Sequence, residues 1–241
     1  MNRAAEAIRG VLPILDADWL DRSGLVTLAD IRRLRVGRPS TIGSIARFLG
    51  ECSIASVQLR CKGSSQRAAP FAAVWVEALR TFSPQVAIVI NDHVDLAVAL
   101  AVDGVHVGQG DMPVAQCRHL LGPERMVGLS THSLEEVRLA RLEGVDYVGF
   151  GPVFATRTKP DVQATQGLSQ LAGVCRAAGL PVVAIGGIGM ARIGQVAAAG
   201  AAAAAMISGL WDRESWPQRL QQASKEWQEG VPCQGCDEKP R

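Results

Sequence analysis

The feature of this chain that most constrains its fold is a regular alternation of short apolar runs with amphipathic stretches. The apolar runs have the length of buried strands, and the stretches between them carry apolar residues at three- and four-residue spacing, which is typical of helices. Strands that alternate with helices in this way form parallel sheets. The eight predicted strands cover residues 11–15, 54–60, 86–90, 104–107, 126–130, 145–150, 182–185 and 202–207.

The stretches between these strands carry recognisable helix ends. Ser133 and Glu136 form a capping box, in which each side chain bonds a backbone N–H at the start of a helix. Gly179 and Gly200 stand where helices end and the chain turns back. The predicted helices cover residues 65–82, 95–101, 114–121, 134–143, 168–178, 190–199 and 213–227.

This element order predicts an α/β fold of the TIM (β/α)8 barrel type. The chain has 241 residues, close to the roughly 250 that such a barrel needs. Strands that are apolar along their whole length are buried on both faces, as in a barrel surrounded by helices. An open, doubly wound sheet is the alternative, and the alternation up to eight strands favours the barrel. We expect one barrel domain over residues 1–228 and a polar C-terminal tail over 229–241.

The region after the first predicted strand departs from this pattern. Residues 16–40 hold five arginines and show no clear period, so they form either an inserted N-terminal excursion or a short additional helix. Pro13 lies within the first apolar run, where its missing N–H weakens the strand prediction.

The composition limits which classes of partner and which cellular compartment we expect for this protein. The formal net charge is only +2 and aromatic residues make up 5%, which argues against nucleic-acid binding. The longest weakly polar run, residues 196–210, is shorter than the roughly 20 residues of a membrane span. Since the N-terminus shows no signal-peptide core, we expect a cytoplasmic protein with reduced cysteines, without a metal at Cys233 and Cys236. No feature of the sequence indicates an oligomeric state.

Polar residues at the predicted strand ends are the candidate functional residues, because chemistry in such barrels lies beyond the carboxyl ends of the strands. Gln58, Arg60 and Lys62 alternate along the end of the second strand and therefore share one face. A polar stripe is costly to bury unless it meets an anion or a hydrogen-bonding partner. The alternative is an ion-pair network with carboxylates of the barrel rim.

Acidic residues follow the next two strands. Asn91 and Asp92 follow the third strand, and Asp111 follows the fourth. Each of these residues, taken singly, is a good helix cap. Taken together and beside the cations of the second strand, the two carboxylates predict a Mg²⁺ site, because Mg²⁺ binds one or two carboxylates plus substrate phosphate oxygens.

Hydroxyl groups and a further cation lie at the ends of the fifth and sixth strands. Ser130 ends the fifth strand, and Thr156, Thr158 and Lys159 lie in the loop after the sixth. Two hydroxyls and an ammonium within four residues are suited to binding phosphate. The alternative is an ordinary polar loop.

The last two strands lead into small and polar residues. Gly187 follows the seventh strand, and Ile207 and Ser208 end the eighth. Loops at these two positions form the recurrent phosphate site of α/β barrels through backbone N–H groups, although a glycine pair is also a simple tight turn.

The rim therefore offers two anion sites. One is a backbone cradle for a monophosphate, and the other combines three cations with two carboxylates, which suits Mg²⁺ and a diphosphate. We interpret the chain as a transferase that expels pyrophosphate from one small-molecule substrate and joins the remainder to a phosphorylated acceptor.

Several of these motifs, in the same order along the chain, resemble thiamine phosphate synthase (thiamine-phosphate pyrophosphorylase). The resemblance covers about two-thirds of the chain, from about residue 54 to 210, and residues 1–50 match poorly. The matching stretches are residues 57–62, 90–92, 104–111, 128–132, 146–159 and 184–188.

This resemblance implies a (β/α)8 enzyme that joins 4-amino-2-methyl-5-(diphosphooxymethyl)pyrimidine to a thiazole phosphate, with Mg²⁺ and release of pyrophosphate. The catalytic residues it implies are Arg60, Lys62, Ser130 and Lys159. It assigns the pyrimidine to Gln58 and Ser130, the diphosphate to Arg60, Lys62, Asn91 and Lys159, Mg²⁺ to Asp92 and Asp111, and the thiazole phosphate to residues 156–158, Gly187, Ile207 and Ser208.

Two alternatives to this function stay open at this point. The related thiazole tautomerase is an isomerase on the same barrel that loses the metal- and diphosphate-binding residues, and His132 would be its acid or base. A non-catalytic sensor of phosphate ligands is the other. The retained Asn91, Asp92, Asp111, Thr158 and Lys159 favour the synthase over the tautomerase, and the intact cation and carboxylate sets favour it over the sensor.

Overall fold

Eight parallel strands form a closed barrel in which each strand pairs with the next and the last pairs with the first. This computed structural model describes residues 6–27, 30, 33, 40–156 and 164–232. The predicted TIM-barrel fold is confirmed. The strands are β1 (Gly10–Asp16), β2 (Ser56–Arg60), β3 (Ala87–Asn91), β4 (Gly104–Val107), β5 (Met126–Thr131), β6 (Tyr147–Phe150), β7 (Val182–Ile185) and β8 (Ala203–Met206).

Helices follow every strand and form the outer layer of the barrel. Seven of them match the predicted helices, with ends that differ by up to three residues. The helices are α1 (Ala17–Arg22), α2 (Thr41–Glu51), α3 (Ser65–Phe82), α4 (Val94–Ala99), α5 (Val114–Leu121), α6 (Leu134–Leu142), α7 (Gly167–Ala178), α8 (Met190–Ala198) and α9 (Trp216–Gly230).

The N-terminal region differs from the prediction in two respects. The additional short helix is present as α1, and Asp16, which we placed in the excursion, is the last residue of β1 and the N-cap of α1. The sequence analysis missed α2, although Ser40 caps it by accepting a hydrogen bond from Gly43 N at 3.1 Å. Residues 28–29, 31–32 and 34–39 of the predicted excursion lie outside the described residues.

Pro13 is accommodated within β1 without loss of the strand. β1 pairs with β8 from Gly10 to Pro13 and with β2 from Ile14 to Asp16. The residue without an N–H therefore lies where the pairing of β1 changes from one neighbour to the other.

The core has two parts. A large apolar layer lies between the strands and the helices, and a smaller cluster that includes Leu12, Val89 and Val183 fills the lower barrel interior. Above that cluster, at the carboxyl ends of the strands, the barrel interior contains buried polar residues such as Gln58, Arg60 and Asn91. These polar residues mark that end of the barrel as the position of a candidate site.

Two sequence predictions concern the end of the chain and membrane spans. α9 ends at Gly230, two residues past the predicted end of the barrel domain, and Cys233 and Cys236 lie outside the described residues. No helix in the described part of the chain is long and apolar enough to cross a bilayer.

Candidate active site

A cavity of about 220 Å³ opens at the carboxyl ends of the strands and collects most of the predicted site residues. Gln58 lies below it, in a narrow extension of about 30 Å³ into the barrel. Thr158 and Lys159 lie outside the described residues. The predicted residues that line the main cavity are Arg60, Lys62, Asn91, Asp92, Asp111, Ser130, Thr156, Gly187, Ile207 and Ser208.

The cations of β2 reach this cavity already paired with carboxylates. Arg60 forms a buried ion pair with Asp16, its neighbour across the β1–β2 ladder. Lys62 Nζ lies 2.5 Å from Asp92 Oδ2. The ion-pair network that we held as the alternative is therefore present, on the wall of the same cavity that the site prediction required.

Asp92 is held in an unusual backbone conformation. Its φ is +64°, in the left-handed region that non-glycine residues seldom occupy and that is enriched at functional sites. Asp92 does not cap the next helix, because His93 occupies the N-cap position of α4 and makes no side-chain capping bond. The carboxylate instead lines the cavity and pairs with Lys62.

Asp111 also lines the cavity without capping a helix. Its Oδ2 accepts a hydrogen bond from Gly108 N at 2.7 Å, while Pro113 occupies the N-cap position of α5. This bond closes the turn after β4 and uses one of the two carboxylate oxygens.

Asp92 and Asp111 fit a Mg²⁺ ion that is bound partly by the protein and partly by a substrate. No group of three or more His, Cys, Asp or Glu side chains suited to a metal occurs among the described residues. Two carboxylates on one cavity wall match the usual binding of Mg²⁺ by one or two carboxylates, water and substrate phosphate oxygens. The donor set therefore fits Mg²⁺ held jointly with a phosphorylated ligand.

Asn91 presents an unsatisfied donor at the end of β3. Its Nδ2 is buried and has no hydrogen-bond partner among the residues that the structure describes. A buried donor without a partner costs about 1–3 kcal/mol, and because Asn91 lines the cavity, its amide is a candidate donor to a ligand.

The barrel interior below the cavity contains a polar chain that the sequence analysis missed. His106 Nδ1 lies 3.1 Å from the Tyr147 hydroxyl, and His106 Nε2 lies 2.9 Å from the Ser130 hydroxyl. Burial raises the pKa of Tyr147, so its hydroxyl stays protonated at neutral pH. Gln109 Nε2 donates to the Ser130 carbonyl at 2.8 Å and holds the same strand end.

Two glycines make room for this polar chain. A Cβ on Gly128 would lie 2.2 Å from Tyr147 Cζ and 2.6 Å from His106 Nδ1, and one on Gly149 would lie 3.0 Å from His106 Cε1. Glycine within a strand marks close approach of another group. Gly128 and Gly149 were therefore the signal in the sequence for a bulky group inside the barrel.

Gly187, part of the phosphate cradle predicted from the loops after β7 and β8, lies where the loop after β7 packs against the loop after β6. Gly187 has φ +64°, and a Cβ there would lie 2.4 Å from the Ala155 carbonyl oxygen. The tight-turn alternative thus explains this glycine without a ligand. Gly189, the N-cap of α8, makes no side-chain capping bond, so N–H groups of that helix start can donate hydrogen bonds to a ligand oxygen.

The thiol nearest the site is not a nucleophile. Cys61 lies between Arg60 and Lys62 in the sequence, and its burial raises the pKa of its thiol above the usual value. Since the thiolate is the reactive form, Cys61 is inert at neutral pH. The cavity therefore favours chemistry by positioning and charge.

An eight-stranded α/β barrel whose rim cavity collects cations, carboxylates and hydroxyls is the architecture of a TIM-barrel enzyme. The family model described as thiamine monophosphate synthase matches residues 40–210. The chain belongs to this family.

Curated relatives and a solved structure agree with this family. The thiamine-phosphate synthase of Anaeromyxobacter dehalogenans is 44% identical over 171 residues, which are 70% of this chain and 76% of that protein. The thiamine-phosphate synthase of Chloroflexus aurantiacus is 41% identical over 193 residues, 80% of this chain and 85% of that one. The structure of thiamine phosphate pyrophosphorylase from Pyrococcus furiosus covers 95% of this chain and 100% of its own, with a TM-score of 0.74 and 24% identity, and shows the shared fold.

Proposed function

We propose that this protein is a thiamine-phosphate synthase. It joins the pyrimidine of a hydroxymethylpyrimidine diphosphate to the nitrogen of a thiazole phosphate and releases pyrophosphate. The observation that carries this proposal is the placement of Arg60, Lys62, Asn91, Asp92 and Asp111 on one cavity wall. Their donors and carboxylates suit a magnesium diphosphate, and the family membership supports the same chemistry.

In this proposal the residues of β2 and β3 receive the diphosphate. The Asn91 Nδ2 donor, which has no partner among the described residues, hydrogen-bonds a diphosphate oxygen. Arg60 and Lys62 supply positive charge where the leaving group gains negative charge. Donors and cations fixed in advance around developing charge lower the barrier to its formation.

Asp92 and Asp111 would hold Mg²⁺, which neutralises charge on the departing pyrophosphate when it is bound. Lys62 Nζ lies 2.5 Å from Asp92 Oδ2 and therefore occupies one oxygen of that carboxylate. For Asp92 to bind Mg²⁺, Lys62 leaves this oxygen and pairs with the diphosphate. The exposed lysine side chain, 51% accessible, is free to make this change.

The carbon–oxygen bond to the diphosphate breaks first, and the electron-rich aminopyrimidine stabilises the resulting cation. The thiazole nitrogen then forms the new carbon–nitrogen bond. Ser130 contacts the pyrimidine, Gln58 reads it from the deeper part of the barrel, and the loops after β6, β7 and β8 hold the thiazole phosphate. Positioning of the two substrates supplies the remaining rate enhancement.

The test is release of pyrophosphate from a mixture of both substrates, with Mg²⁺ and with EDTA. We expect release only with both substrates and Mg²⁺, and loss of release in Asp92→Ala. The matched control is Asp95→Ala, which removes an exposed carboxylate from the first turn of α4 and should keep full activity.

Other outcomes would identify the alternatives. Conversion of the thiazole substrate in the absence of any pyrimidine would indicate a tautomerase. Tight binding of both substrates without turnover would indicate a sensor. Metal-independent turnover, or full activity in Asp92→Ala, would contradict the proposed role of Mg²⁺.

A further inference from the structure

We propose that Asp16 is a positioning residue for this reaction, which holds the Arg60 guanidinium in the orientation that receives the diphosphate. This inference rests on the proposed function of the cavity. It gives a role to the start of the N-terminal region, where the sequence does not follow the repeat of strands and helices.

The pair is built into the barrel wall. Asp16 ends β1 and Arg60 ends β2, and the two residues are direct partners in the β1–β2 register. Asp16 is 2% exposed and Arg60 is 8% exposed. Buried charges require a partner of opposite sign, and the Arg60 Nη1 group finds it in Asp16 Oδ2.

The carboxylate of Asp16 is itself fixed by its second oxygen. Asp16 Oδ1 accepts a hydrogen bond from Trp19 N at 2.8 Å and thereby caps α1. The Trp19 indole N–H donates to the Trp211 carbonyl at 2.9 Å, and the Trp211 indole N–H donates to the Ile14 carbonyl at 2.7 Å. The two indole bonds tie α1 to both β1 and the segment after β8, and the Asp16 carboxylate cannot turn away from Arg60 without breaking its bond to Trp19 N.

Because Asp16 holds one side of the Arg60 guanidinium, the orientation of the remaining N–H donors of Arg60 is also fixed. The guanidinium has five N–H donors in a rigid plane, and the side chain lines both the main cavity and its narrow extension. Holding that plane before the ligand arrives removes the cost of ordering a long side chain during binding. Asp16 therefore acts on the ligand through Arg60, without contact of its own in the cavity lining.

A role through charge alone makes the opposite prediction. Asp16 reduces the positive charge at the diphosphate site, so its neutralisation would strengthen anion binding if charge were its only effect. If Asp16 positions Arg60, its neutralisation weakens anion binding. The sign of the effect therefore separates the two explanations.

The experiment measures binding of inorganic pyrophosphate by calorimetry in the presence of Mg²⁺ to four full-length proteins. These are the wild type, Asp16→Asn, Arg60→Gln and the double variant. Asparagine still caps a helix, so Asp16→Asn keeps the start of α1. We expect binding to weaken about tenfold in Asp16→Asn and to change less than about twofold when the same substitution is added to Arg60→Gln.

Asp18→Asn is the matched control. It makes the same chemical change two residues away, at an exposed pair with Arg67, and should change pyrophosphate binding less than about twofold. If Asp16→Asn does not fold, as judged by thermal unfolding, Asp16→Glu keeps the charge and moves it by one methylene. A positioning role predicts weaker binding in Asp16→Glu as well.

Tighter or unchanged pyrophosphate binding in Asp16→Asn, or an equal effect of that substitution with and without Arg60, would overturn the role of Asp16. In the two-substrate assay, kcat should fall with Asp16→Asn while KM for the thiazole phosphate stays constant. Absence of turnover in the wild type would overturn the proposed function instead, and an active wild type with an unchanged Asp16→Asn would overturn this inference alone.

Discussion

His106 Nε2 lies 2.9 Å from the Ser130 hydroxyl, and this contact joins the barrel interior to the cavity. A neutral imidazole donates from one nitrogen and accepts at the other. The nitrogen that faces Tyr147 therefore determines whether the nitrogen that faces Ser130 donates or accepts. Burial keeps the Tyr147 hydroxyl protonated, and such a hydroxyl can donate to Nδ1 or accept from it, so the hydrogen bonds of Tyr147 and Ser130 are coupled through the His106 ring.

Tyr147→Phe should lower the turnover number of the two-substrate reaction. The substitution removes only the hydroxyl that bonds His106 Nδ1 at 3.1 Å, so the ring packing stays and the hydroxyl of Ser130 loses its fixed direction. Loss of one partner of a buried hydrogen bond should also lower the free energy of unfolding by about 1–3 kcal/mol. Steady-state kinetics and urea unfolding measure the two effects.

Ser83→Ala is the control for Tyr147→Phe. Its hydroxyl is buried and donates to the Ala46 carbonyl at 2.8 Å, at the end of α3 away from the cavity. We expect a similar loss of stability with an unchanged turnover number. A Tyr147→Phe protein with wild-type turnover would contradict the link from Tyr147 to Ser130.

Gly128→Ala should destabilise the barrel, whereas Gly173→Ala should stabilise it. A Cβ at Gly128 meets the rings of Tyr147 and His106 at less than 3 Å, while one at Gly173 in α7 meets nothing within 4 Å. We expect a loss of about 1–3 kcal/mol in unfolding free energy for the first and a gain of about 0.5–1 kcal/mol for the second. Equal effects of the two substitutions in denaturant titrations would contradict the crowding at Gly128.

Lys62→Met should have opposite effects on the binding of metal and of pyrophosphate. Without the ammonium beside Asp92 Oδ2, the ligand-free protein should bind Mg²⁺ more tightly by up to about fivefold, because an exposed ion pair contributes at most about 1 kcal/mol. Pyrophosphate binding should weaken, because one of its cations is gone. Calorimetric titrations measure both constants.

Lys225→Met provides the comparison for Lys62→Met. Lys225 is exposed on α9 and pairs with Glu229, so its removal changes the charge of the protein equally but far from the predicted metal ligands. Neither constant should change. Weaker Mg²⁺ binding in Lys62→Met would show that Lys62 does not compete with the metal for Asp92.

Asp212→Asn should destabilise the protein at pH 7 and destabilise it less near pH 3. The Ser215 hydroxyl and backbone N–H bond the Asp212 carboxylate at 2.6 and 2.7 Å and lower its pKa below the usual 3.8. A depressed pKa in the folded state stabilises the fold above the unfolded pKa, and this stability is lost as pH falls through the folded value. Thermal unfolding at both pH values measures the difference.

The same measurement on Asp21→Asn, an exposed carboxylate of α1, should give a Tm close to wild type at pH 7. If the Tm deficit of Asp212→Asn were as large at pH 3 as at pH 7, the ionised carboxylate would not be the stabilising form.

The barrel could be predicted because its signal is repeated along the chain. Each of the eight buried strands is a short apolar run, and each of the seven predicted helices has apolar residues at three- and four-residue spacing. Both patterns can be read from the local sequence. α2 could also have been predicted, since Ile42, Ile45 and Leu49 follow a helical spacing behind the cap at Ser40. Both ends of α9 were predicted three residues too early, since the helix runs from Trp216 to Gly230 rather than over 213–227.

The positions of the site residues could be predicted, whereas their partners could not. That Arg60 and Asp92 lie at strand ends follows from the sequence, and the structure brings them to one cavity. The pairing of Arg60 with Asp16 depends on the register of β1 against β2. This register cannot be read from the sequence of either strand alone. His106 was missed because a lone polar residue in an apolar strand gives no periodic signal.

The closure of the barrel joins the two ends of the folded chain. β1 pairs with β8, and the Trp211 indole bonds the Ile14 carbonyl across 197 residues of sequence. Contacts between such distant segments form slowly, because a long loop must close before they contribute. During synthesis, β1 therefore has an unpaired edge until β8 has left the ribosome, and truncation before β8 should leave an open, aggregation-prone sheet.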